Sequence, residues 1–263
     1  MVEGLEVIDK GGCTSGHPAP LLFVHGSWHA AWCWDEHFLD FFAERGYRTL
    51  AVSLRGHGGS RTHPRPRSCA LAHFVEDVAA VADELGSEPV LIGHSLGGAV
   101  VQKYLETHHA QAGVLVASMP VSGIVGYMGR LWRHHPVQAA GVTLRGRQSV
   151  GTATRAREMF FSASLPEADV ARYAARLGEE LVGRLTLDTL GWDKCRPERV
   201  TAPMLVLGGE NDRCFTVAEV ESTARAYGTE AEIFPGMAHN MMLEPGWADV
   251  AERIDGWLGE RGL

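Results

Sequence analysis

The segment PVLIGHSLGGAV, residues 89–100, contains the pattern Gly-x-Ser-x-Gly around Ser95. Small residues such as Gly93 and Gly97 allow a tight turn from a strand into a helix, and that turn lifts the serine hydroxyl clear of a sheet. A serine held in this way can attack a carbonyl carbon. Because a chain with 31 glycines can produce the pattern by chance, the hypothesis depends on the neighbouring elements and on partner residues elsewhere.

Two loops near the C-terminal end hold candidates for those partners. A serine nucleophile needs a general base, and the base needs a group that orients it. His239 lies in EIFPGMAHNMMLEP, between a predicted strand at 232–234 and the last predicted helix, and Asp212 lies in MLVLGGENDRCF, after the preceding strand. The order Ser95, Asp212, His239 is typical of hydrolases whose serine stands on a strand-to-helix turn. We therefore predict a catalytic triad of these three residues.

Glu210 and Asn211 are the alternatives to Asp212 as the orienting group. Glu210 follows the predicted strand too closely to reach an imidazole easily. An asparagine such as Asn211 could orient the ring but could not stabilise an imidazolium by charge. The Asp212 side chain could instead only stabilise the turn of its glycine-rich loop, and His239 could be an ordinary loop histidine.

Backbone N–H groups near the serine could stabilise the negative oxygen of a tetrahedral intermediate. Leu96 begins the predicted helix after Ser95, and the first N–H groups of a helix have no partners within it. A second donor is expected after the predicted strand 21–24, where the sequence continues HGSW. We predict the N–H groups of Leu96 and Ser27 as the oxyanion hole, although HGSW could alternatively serve only to end the strand.

Alternating strands and helices must position these residues. Short apolar runs bounded by glycine or proline indicate buried parallel strands. They cover residues 21–24, 47–54, 89–93, 112–119, 204–207 and 232–234. Helical patterns separate or follow them at residues 37–44, 70–85, 96–108, 217–227 and 247–258. This alternation predicts an α/β fold with a mostly parallel central sheet flanked by helices.

Residues 120–199 interrupt the alternation. They carry few strand signals and mostly helical ones, including residues 153–162 and 166–177. The segment has twelve Lys and Arg against eight Asp and Glu, although the whole chain has a net charge of −8. We predict a helical cap inserted into a core made of residues 1–119 and 200–263. Its arginines could form a solvated helix face, or they could line a mouth that attracts an anionic substrate.

The composition argues against several classes of protein. With 45% hydrophobic and 21% charged residues, the chain can bury a full core, and its negative net charge argues against general nucleic-acid binding. No run approaches the ~18 consecutive apolar residues of a membrane span, and the first 25 residues do not resemble a secretory signal. The five cysteines lack metal-site spacing. We expect a cytoplasmic protein without a metal, a cofactor or a membrane span.

Five motifs cover nearly the whole chain outside residues 120–199. They read LLFVHGSWHAAWCW, SLRGHGGS, GHSLGG, LGGENDR and PGMAHNMMLEP. Together they resemble the α/β-hydrolase-fold serine hydrolases, and the first motif is similar to that of small esterases, lysophospholipase-like hydrolases, plant methyl esterases and hydroxynitrile lyases. Ser53 departs from the pattern, since many relatives carry an aspartate there. The resemblance implies an α/β-hydrolase fold and cleavage of a carboxylic ester through an acyl-enzyme.

The resemblance also implies a substrate pocket between the sheet and the cap. We expect Trp28, His94, Met119 and Met241 as candidates for its lining. Trp28 could alternatively pack under the first helix, and a histidine beside the nucleophile is usually structural in similar proteins. The expected partner is a small-molecule ester or thioester.

Other activities on the same fold stay open. A thioesterase or an acyl-transferring cyclase would use the same triad on an acyl chain held by CoA or by a carrier protein, and a basic cap would suit a phosphopantetheine phosphate. A chain that kept the fold without turnover would be a ligand-binding protein. Similar hydroxynitrile lyases usually carry lysine where this chain has Asn240, and haloalkane dehalogenases and epoxide hydrolases carry aspartate in place of Ser95. These two differences argue against those three activities.

Overall fold

A seven-stranded sheet forms the centre of the protein. The computed structural model describes residues 2–61, 68–134, 147–181 and 183–263. The strands in the described chain are β1 (Val7–Gly11), β2 (Leu21–Val24), β3 (Arg48–Val52), β4 (Val90–His94), β5 (Ala112–Val116), β6 (Arg147–Ser149), β7 (Glu179–Leu181), β8 (Met204–Gly209) and β9 (Ala231–Phe234). The order in the large sheet is β1-β3-β2-β4-β5-β8-β9. Strand β1 pairs antiparallel with β3, and the other pairs of this sheet are parallel.

The central strands are buried along their whole length. Every residue of β2, β4, β5 and β8 is buried, as is typical of parallel strands that are covered on both faces. In the pairing of β2 with β4, Val24 lies opposite Gly93. The turn after β2 and the turn after β4 are therefore neighbours at one edge of the sheet.

Strand β1 was not among the predicted strands. Its sequence, VIDKG, contains two charged residues and no apolar run, and its residues are only partly buried or exposed. It lies at the edge of the sheet, where Val7 pairs with Val52. An edge strand needs less apolar sequence than a central one because one of its sides has no neighbouring strand.

Helices flank the sheet. Along the described chain they are α1 (Trp32–Asp35), α2 (Phe38–Glu44), α3 (Leu71–Asp83), α4 (Leu96–Leu105), α5 (Val125–His134), α6 (Ala153–Phe160), α7 (Glu167–Ala174), α8 (Arg184–Leu187), α9 (Val217–Ala226) and α10 (Trp247–Gly259). Shorter helical turns cover Asp188–Trp192, Pro197–Arg199 and Met241–Leu243. Helix α4 packs on β4 and β5, and α9 packs on β8 and β9. Nowhere in the described ranges does a helix combine the length and apolar character needed to cross a bilayer.

The segment 120–199 contains helices α5 to α8 and a small separate sheet. Helices α6 and α7 cover parts of the two predicted helical stretches. Strand β6 pairs antiparallel with β7, with Gln148 opposite Glu180. Strands of three residues give no recognisable apolar run, so the sequence does not predict this pair. Residues 135–146 and 182 of the predicted cap lie outside the described residues.

The parallel strands bring the candidate residues to one edge of the sheet. Ser95 follows β4, Asp212 lies in the loop after β8, and His239 lies in the loop after β9. The HGSW segment follows β2, next to β4. Ligands of such sheets bind beyond the carboxyl ends of the strands, and all of these loops lie at that edge.

Candidate active site

Ser95 joins β4 to α4 in a backbone conformation that few residues adopt. Its φ is 53° and its ψ is −118°. For a residue other than glycine such strain costs of order 1–3 kcal/mol, and the surrounding contacts must offset it. The N–H of Ser95 donates to the carbonyl of Val116 at 3.2 Å, and the carbonyl of Ser95 accepts from the N–H of Met119 at 2.9 Å. Both sides of the residue are thus tied to β5 and the loop that follows it.

The glycines around Ser95 allow the start of α4 to approach the strands. A methyl group on Gly93 would lie 2.5 Å from the carbonyl oxygen of Gly97. A methyl group on Gly97 would overlap the carbonyl oxygen of Val24 at the end of β2. Glycine is poor for helix stability, so its presence at the helix start is explained by this close packing of backbone on backbone.

Ser95, His239 and Asp212 form a hydrogen-bonded row. His239 Nε2 lies 2.9 Å from Ser95 Oγ, and His239 Nδ1 lies 2.8 Å from Asp212 Oδ2. A carboxylate can only accept, so Nδ1 carries the proton and Nε2 is left to accept from the serine hydroxyl. Asp212 and His239 are both buried. The row has the geometry in which a histidine can take the hydroxyl proton while a carboxylate holds its ring.

The Asp212 carboxylate is held in place by backbone groups. Its Oδ1 accepts from the N–H of Cys214 at 2.7 Å and from the N–H of Phe215 at 3.1 Å. These bonds stabilise the turn, which is the alternative role considered for Asp212 from the sequence. The carboxylate fulfils both: one oxygen caps the turn and the other faces His239.

The two alternative orienting groups lie elsewhere. Glu210 is exposed, and its Oε2 accepts from the N–H of Gly236 at 2.9 Å. Asn211 is also exposed, and its backbone N–H donates to the carbonyl of Met237 at 2.8 Å. Asp212 is thus the one of the three whose side chain reaches His239.

His94 supports the loop that carries His239. Its Nε2 lies 3.0 Å from the carbonyl oxygen of His239, so Nε2 carries the proton and donates. Burial lowers the pKa of His94 well below its usual value, which keeps the ring neutral. On the other side of the loop, the N–H of Asn240 donates to the carbonyl of Phe160 at 3.0 Å. The backbone around His239 is therefore held from the sheet and from segment 120–199.

Ser27 and Leu96 both line the pocket that contains Ser95. Leu96 is the first residue of α4, where backbone N–H groups have no acceptor within the helix. The N–H of Trp28, the next residue after Ser27, donates to Glu180 Oε2 at 3.3 Å. The two predicted oxyanion donors therefore come from adjacent turns beside the serine.

The pocket beside Ser95 has a cavity volume of about 100 Å³ and is partly open to solvent. Three of the four predicted lining residues, Trp28, His94 and Met119, do line it. The prediction for Met241 is wrong: this residue does not line the pocket and is fully buried. After His239 the chain enters the helical turn Met241–Leu243, which packs into the core.

Most of the pocket lining is apolar, and much of it comes from segment 120–199. Described residues of that segment that line it are Ile124, Tyr127, Met128, Phe160, Glu180, Leu185, Thr186 and Thr189. Sequence reasoning named none of these individually, because their patterns indicate only helices. Glu180 is the one Asp or Glu in the lining as described, and the lining includes no Lys or Arg.

Several arginines of segment 120–199 are engaged in ion pairs. Arg172 and Arg176 both pair with Glu36 on the core. Arg130 pairs with Glu219 at 2.8 Å, and Arg184 pairs with Asp188 of its own segment. These arginines anchor the segment to the core or to itself. In the described residues they do not form the basic mouth that was one of the two sequence interpretations.

Asp212, Cys214 and His239 are close enough to be considered as metal ligands. Their potential ligand atoms lie within 4.8 Å of one another. Cys214 Sγ donates to the carbonyl of Met159 at 3.6 Å, and burial raises the pKa of this thiol well above its usual value. A cysteine binds a metal as a thiolate, and the raised pKa disfavours that form of Cys214. The side chains of Asp212 and His239 are already hydrogen-bonded to each other. The group fits a proton-transfer site better than a metal site.

Known proteins of similar sequence and structure cover nearly the whole chain. The monoacylglycerol lipase of Mycolicibacterium smegmatis is 26% identical over 245 residues, covering 84% of this chain and 81% of the lipase. The non-heme haloperoxidase of Rhodococcus erythropolis is 26% identical over 245 residues, covering 86% and 87%. A thermophilic esterase from Thermogutta terrifontis has the same fold, with a TM-score of 0.78 at 20% identity over 98% of this chain and 94% of the esterase. Residues 21–253 match the sequence model of a family described as "Alpha/beta hydrolase family". The chain therefore belongs to the alpha/beta hydrolase family.

Proposed function

We propose that this protein is a serine hydrolase that cleaves a carboxylic ester through an acyl-enzyme intermediate. The observation that carries the proposal is the row from Ser95 Oγ through His239 to Asp212, with hydrogen bonds of 2.9 and 2.8 Å. The strained turn at Ser95 and the start of α4 beside it support the same conclusion. The similarity to a monoacylglycerol lipase adds support for an ester as the substrate.

In the proposed mechanism the hydroxyl of Ser95 attacks the ester carbonyl carbon while His239 Nε2 takes the hydroxyl proton. Asp212 holds the ring and stabilises the imidazolium that forms. His239 then gives the proton to the leaving alcohol as the carbon–oxygen bond breaks. A water attacks the acyl-enzyme by the same route, and its second product is the carboxylic acid.

The negative oxygen formed in each step is stabilised by the N–H groups of Leu96 and Ser27. One such donor lowers the barrier by roughly 3–4 kcal/mol. The N-terminal end of α4 adds a favourable dipole at the same place. Because these donors belong to the backbone of the folded protein, they need no reorganisation when the charge develops.

The pocket supports an uncharged, apolar group in the substrate. Ile124, Met128 and Leu185 provide apolar surface, and the described lining holds no cation that would bind a phosphate. We propose that residues 120–199 act as a cap that selects the substrate, since more than one of its helices contributes to this lining. A thioesterase acting on CoA or a carrier protein remains the alternative, but the phosphate would lack a basic partner among these residues.

A panel of activated esters and acyl thioesters of increasing chain length tests the proposal. We expect ester turnover by the wild type and a loss of at least about 10⁴-fold in kcat for Ser95→Ala, because the nucleophile is removed. Labelling by a fluorophosphonate should disappear in the same variant. Ser87→Ala, at an exposed position before β4, is the matched control and should behave like the wild type.

Three outcomes would contradict the proposal. Ester turnover and labelling that persist in Ser95→Ala would refute the nucleophile. Faster turnover of thioesters than of esters with the same acyl chain would favour the thioesterase alternative. A wild type that binds esters without releasing product would indicate a ligand-binding protein.

A further inference from the structure

The peptide group between Ser27 and Trp28 is held at both ends. Its carbonyl oxygen, on Ser27, lies 2.8 Å from His29 Nδ1. Its N–H, on Trp28, donates to Glu180 Oε2 at 3.3 Å. The carbonyl of Trp28 accepts from the N–H of Gly178 at 2.7 Å. The orientation of this turn therefore depends on groups from segment 120–199 as well as from the core.

The turn needs such support because Trp28 has a φ of 64°. This left-handed region is unfavourable for a bulky residue, because it brings Cβ too close to the following carbonyl oxygen. Without partners for its N–H and carbonyl, the chain would relax toward negative φ. That rotation would also move the preceding peptide group, which carries the N–H of Ser27.

Glu180 is an unusual partner for a backbone group beside an oxyanion site. It is 5% exposed and lines the pocket. A buried carboxylate costs free energy unless it is paired, and near a developing oxyanion it would raise the barrier by repulsion. The negative charge must therefore be balanced locally.

His57 provides that balance. Its Nε2 lies 3.4 Å from Glu180 Oε1, and its Nδ1 lies 3.3 Å from the carbonyl oxygen of Arg55. Both ring nitrogens face acceptors, so the charged imidazolium fits this site. The carboxylate of Glu180 raises the pKa of His57 above its usual value, although burial opposes the shift. The neighbouring His25 is kept neutral by burial, which lowers its pKa.

We propose that Glu180 is a positioning residue for the oxyanion hole and that His57 neutralises its charge. The inference rests on the proposed ester hydrolysis. Glu180 acts through the Trp28 N–H: it holds the turn so that the N–H of Ser27 points at the substrate oxygen. Segment 120–199 thereby contributes to catalysis as well as to the shape of the pocket.

The experiment compares Glu180→Ala with Glu180→Gln, using an uncharged ester. Alanine removes the acceptor of the Trp28 N–H, and we expect kcat to fall roughly ten- to hundredfold with KM changed less than about threefold, since oxyanion donors act in the transition state. Glutamine keeps an acceptor oxygen and should recover most of kcat. Glu179→Ala, an exposed neighbour on the same strand, should match the wild type.

A second comparison tests the charge balance and applies even if Glu180→Ala does not fold. His57→Gln removes the positive charge that faces Glu180, so we expect kcat to fall, and His57→Gln combined with Glu180→Gln should restore much of it. A double variant no better than His57→Gln alone, or a Glu180→Ala variant with wild-type kcat, would overturn the inference. Equal losses in Glu180→Ala and Glu180→Gln would also overturn it. The Ser95→Ala variant separates the two failures. An active Ser95→Ala variant would refute the proposed function itself, whereas an inactive Ser95→Ala variant together with wild-type kcat in Glu180→Ala would refute only this inference.

Discussion

The buried imidazoles near Ser95 differ in the partners that their ring nitrogens meet. His25, His29 and His94 each place one nitrogen against a backbone carbonyl oxygen. Burial lowers the pKa of all three, and that of His29 to about 4. His239 alone among these four rings lies between a hydroxyl and a carboxylate. His25, His29 and His94 therefore hold backbone segments near the site. His239 has the two contacts that proton transfer from a serine hydroxyl would require.

The low pKa of His29 predicts a loss of stability in acid. The unfolded chain takes up a proton near pH 6.5, but the folded chain takes it up only near pH 4. The unfolded state therefore binds more protons between these values, and stability falls as pH decreases through that window. Between pH 7.5 and pH 5.5 this single ring should cost about 1.4 kcal/mol of the free energy of unfolding.

Denaturant unfolding of His29→Gln at the two pH values measures this contribution. Glutamine does not titrate but offers a donor and an acceptor, as His29 does toward the Ser27 carbonyl and the Asn240 amide. The fall in stability should be smaller than in the wild type by about 1.4 kcal/mol. His109→Gln, at an exposed position, is the control. An unchanged pH dependence in His29→Gln would refute the prediction.

At the scale of elements, the close approach of α4 to β2 positions both predicted oxyanion donors. Gly97 is the point of contact: a methyl group there would overlap the Val24 carbonyl oxygen and lie 2.7 Å from the Val24 carbonyl carbon. Two backbone segments meet at this point, and neither can rotate away as a side chain could. The helix can therefore accept a larger residue only by moving.

Gly97→Ala should consequently reduce both stability and activity. Overpacking of this kind costs typically 1–3 kcal/mol, and displacement of α4 would move the N–H of Leu96 from the substrate oxygen. Gly256→Ala is the matched control, because Gly256 is an exposed position of α10 with nothing near its added methyl group. It should stabilise the protein by up to about 1 kcal/mol. Thermal unfolding and ester kinetics of the two variants check the contrast, and equal effects would contradict it.

At the scale of the whole molecule, segment 120–199 is attached to the core beside the loop that carries His239. Glu244, which follows the Met241–Leu243 turn, is 1% exposed and accepts from the N–H of Ser162 at 2.7 Å. Its other oxygen accepts from the Ser162 hydroxyl. Burial raises the pKa of Glu244, because the charged carboxylate is unfavourable away from water. The two hydrogen bonds from Ser162 stabilise that charged form.

Removing this attachment should loosen the segment without unfolding the sheet. In Glu244→Ala the Ser162 N–H and hydroxyl lose their acceptor, at a cost of roughly 1–3 kcal/mol. We expect faster amide hydrogen exchange in α6 and α7 and a higher KM, with exchange in β4 and β5 unchanged. Glu252→Ala, an exposed site on α10, is the control. Uniformly faster exchange across the protein would instead indicate global destabilisation.

The amino-acid sequence by itself determined the α/β architecture and the order of the loops that carry Ser95, Asp212 and His239. Apolar runs indicate central strands because such strands are buried on both faces, and glycine spacing reveals the Ser95 turn because only hydrogen fits between α4 and the strands. The strand ends then bring Ser95, Asp212 and His239 to one edge, where the structure places them within hydrogen-bond distance. Each of these inferences follows from local sterics or periodicity.

The tertiary structure alone decided which distant surfaces meet. Glu180 is 152 residues from Trp28 in the chain, yet it accepts the Trp28 N–H. Met241 is near His239 in sequence but turns into the core. The arginines of segment 120–199 pair with carboxylates such as Glu36 rather than facing the described pocket. Such contacts depend on how elements pack after they form, because burial and pairing are properties of two surfaces and no single stretch of sequence contains both.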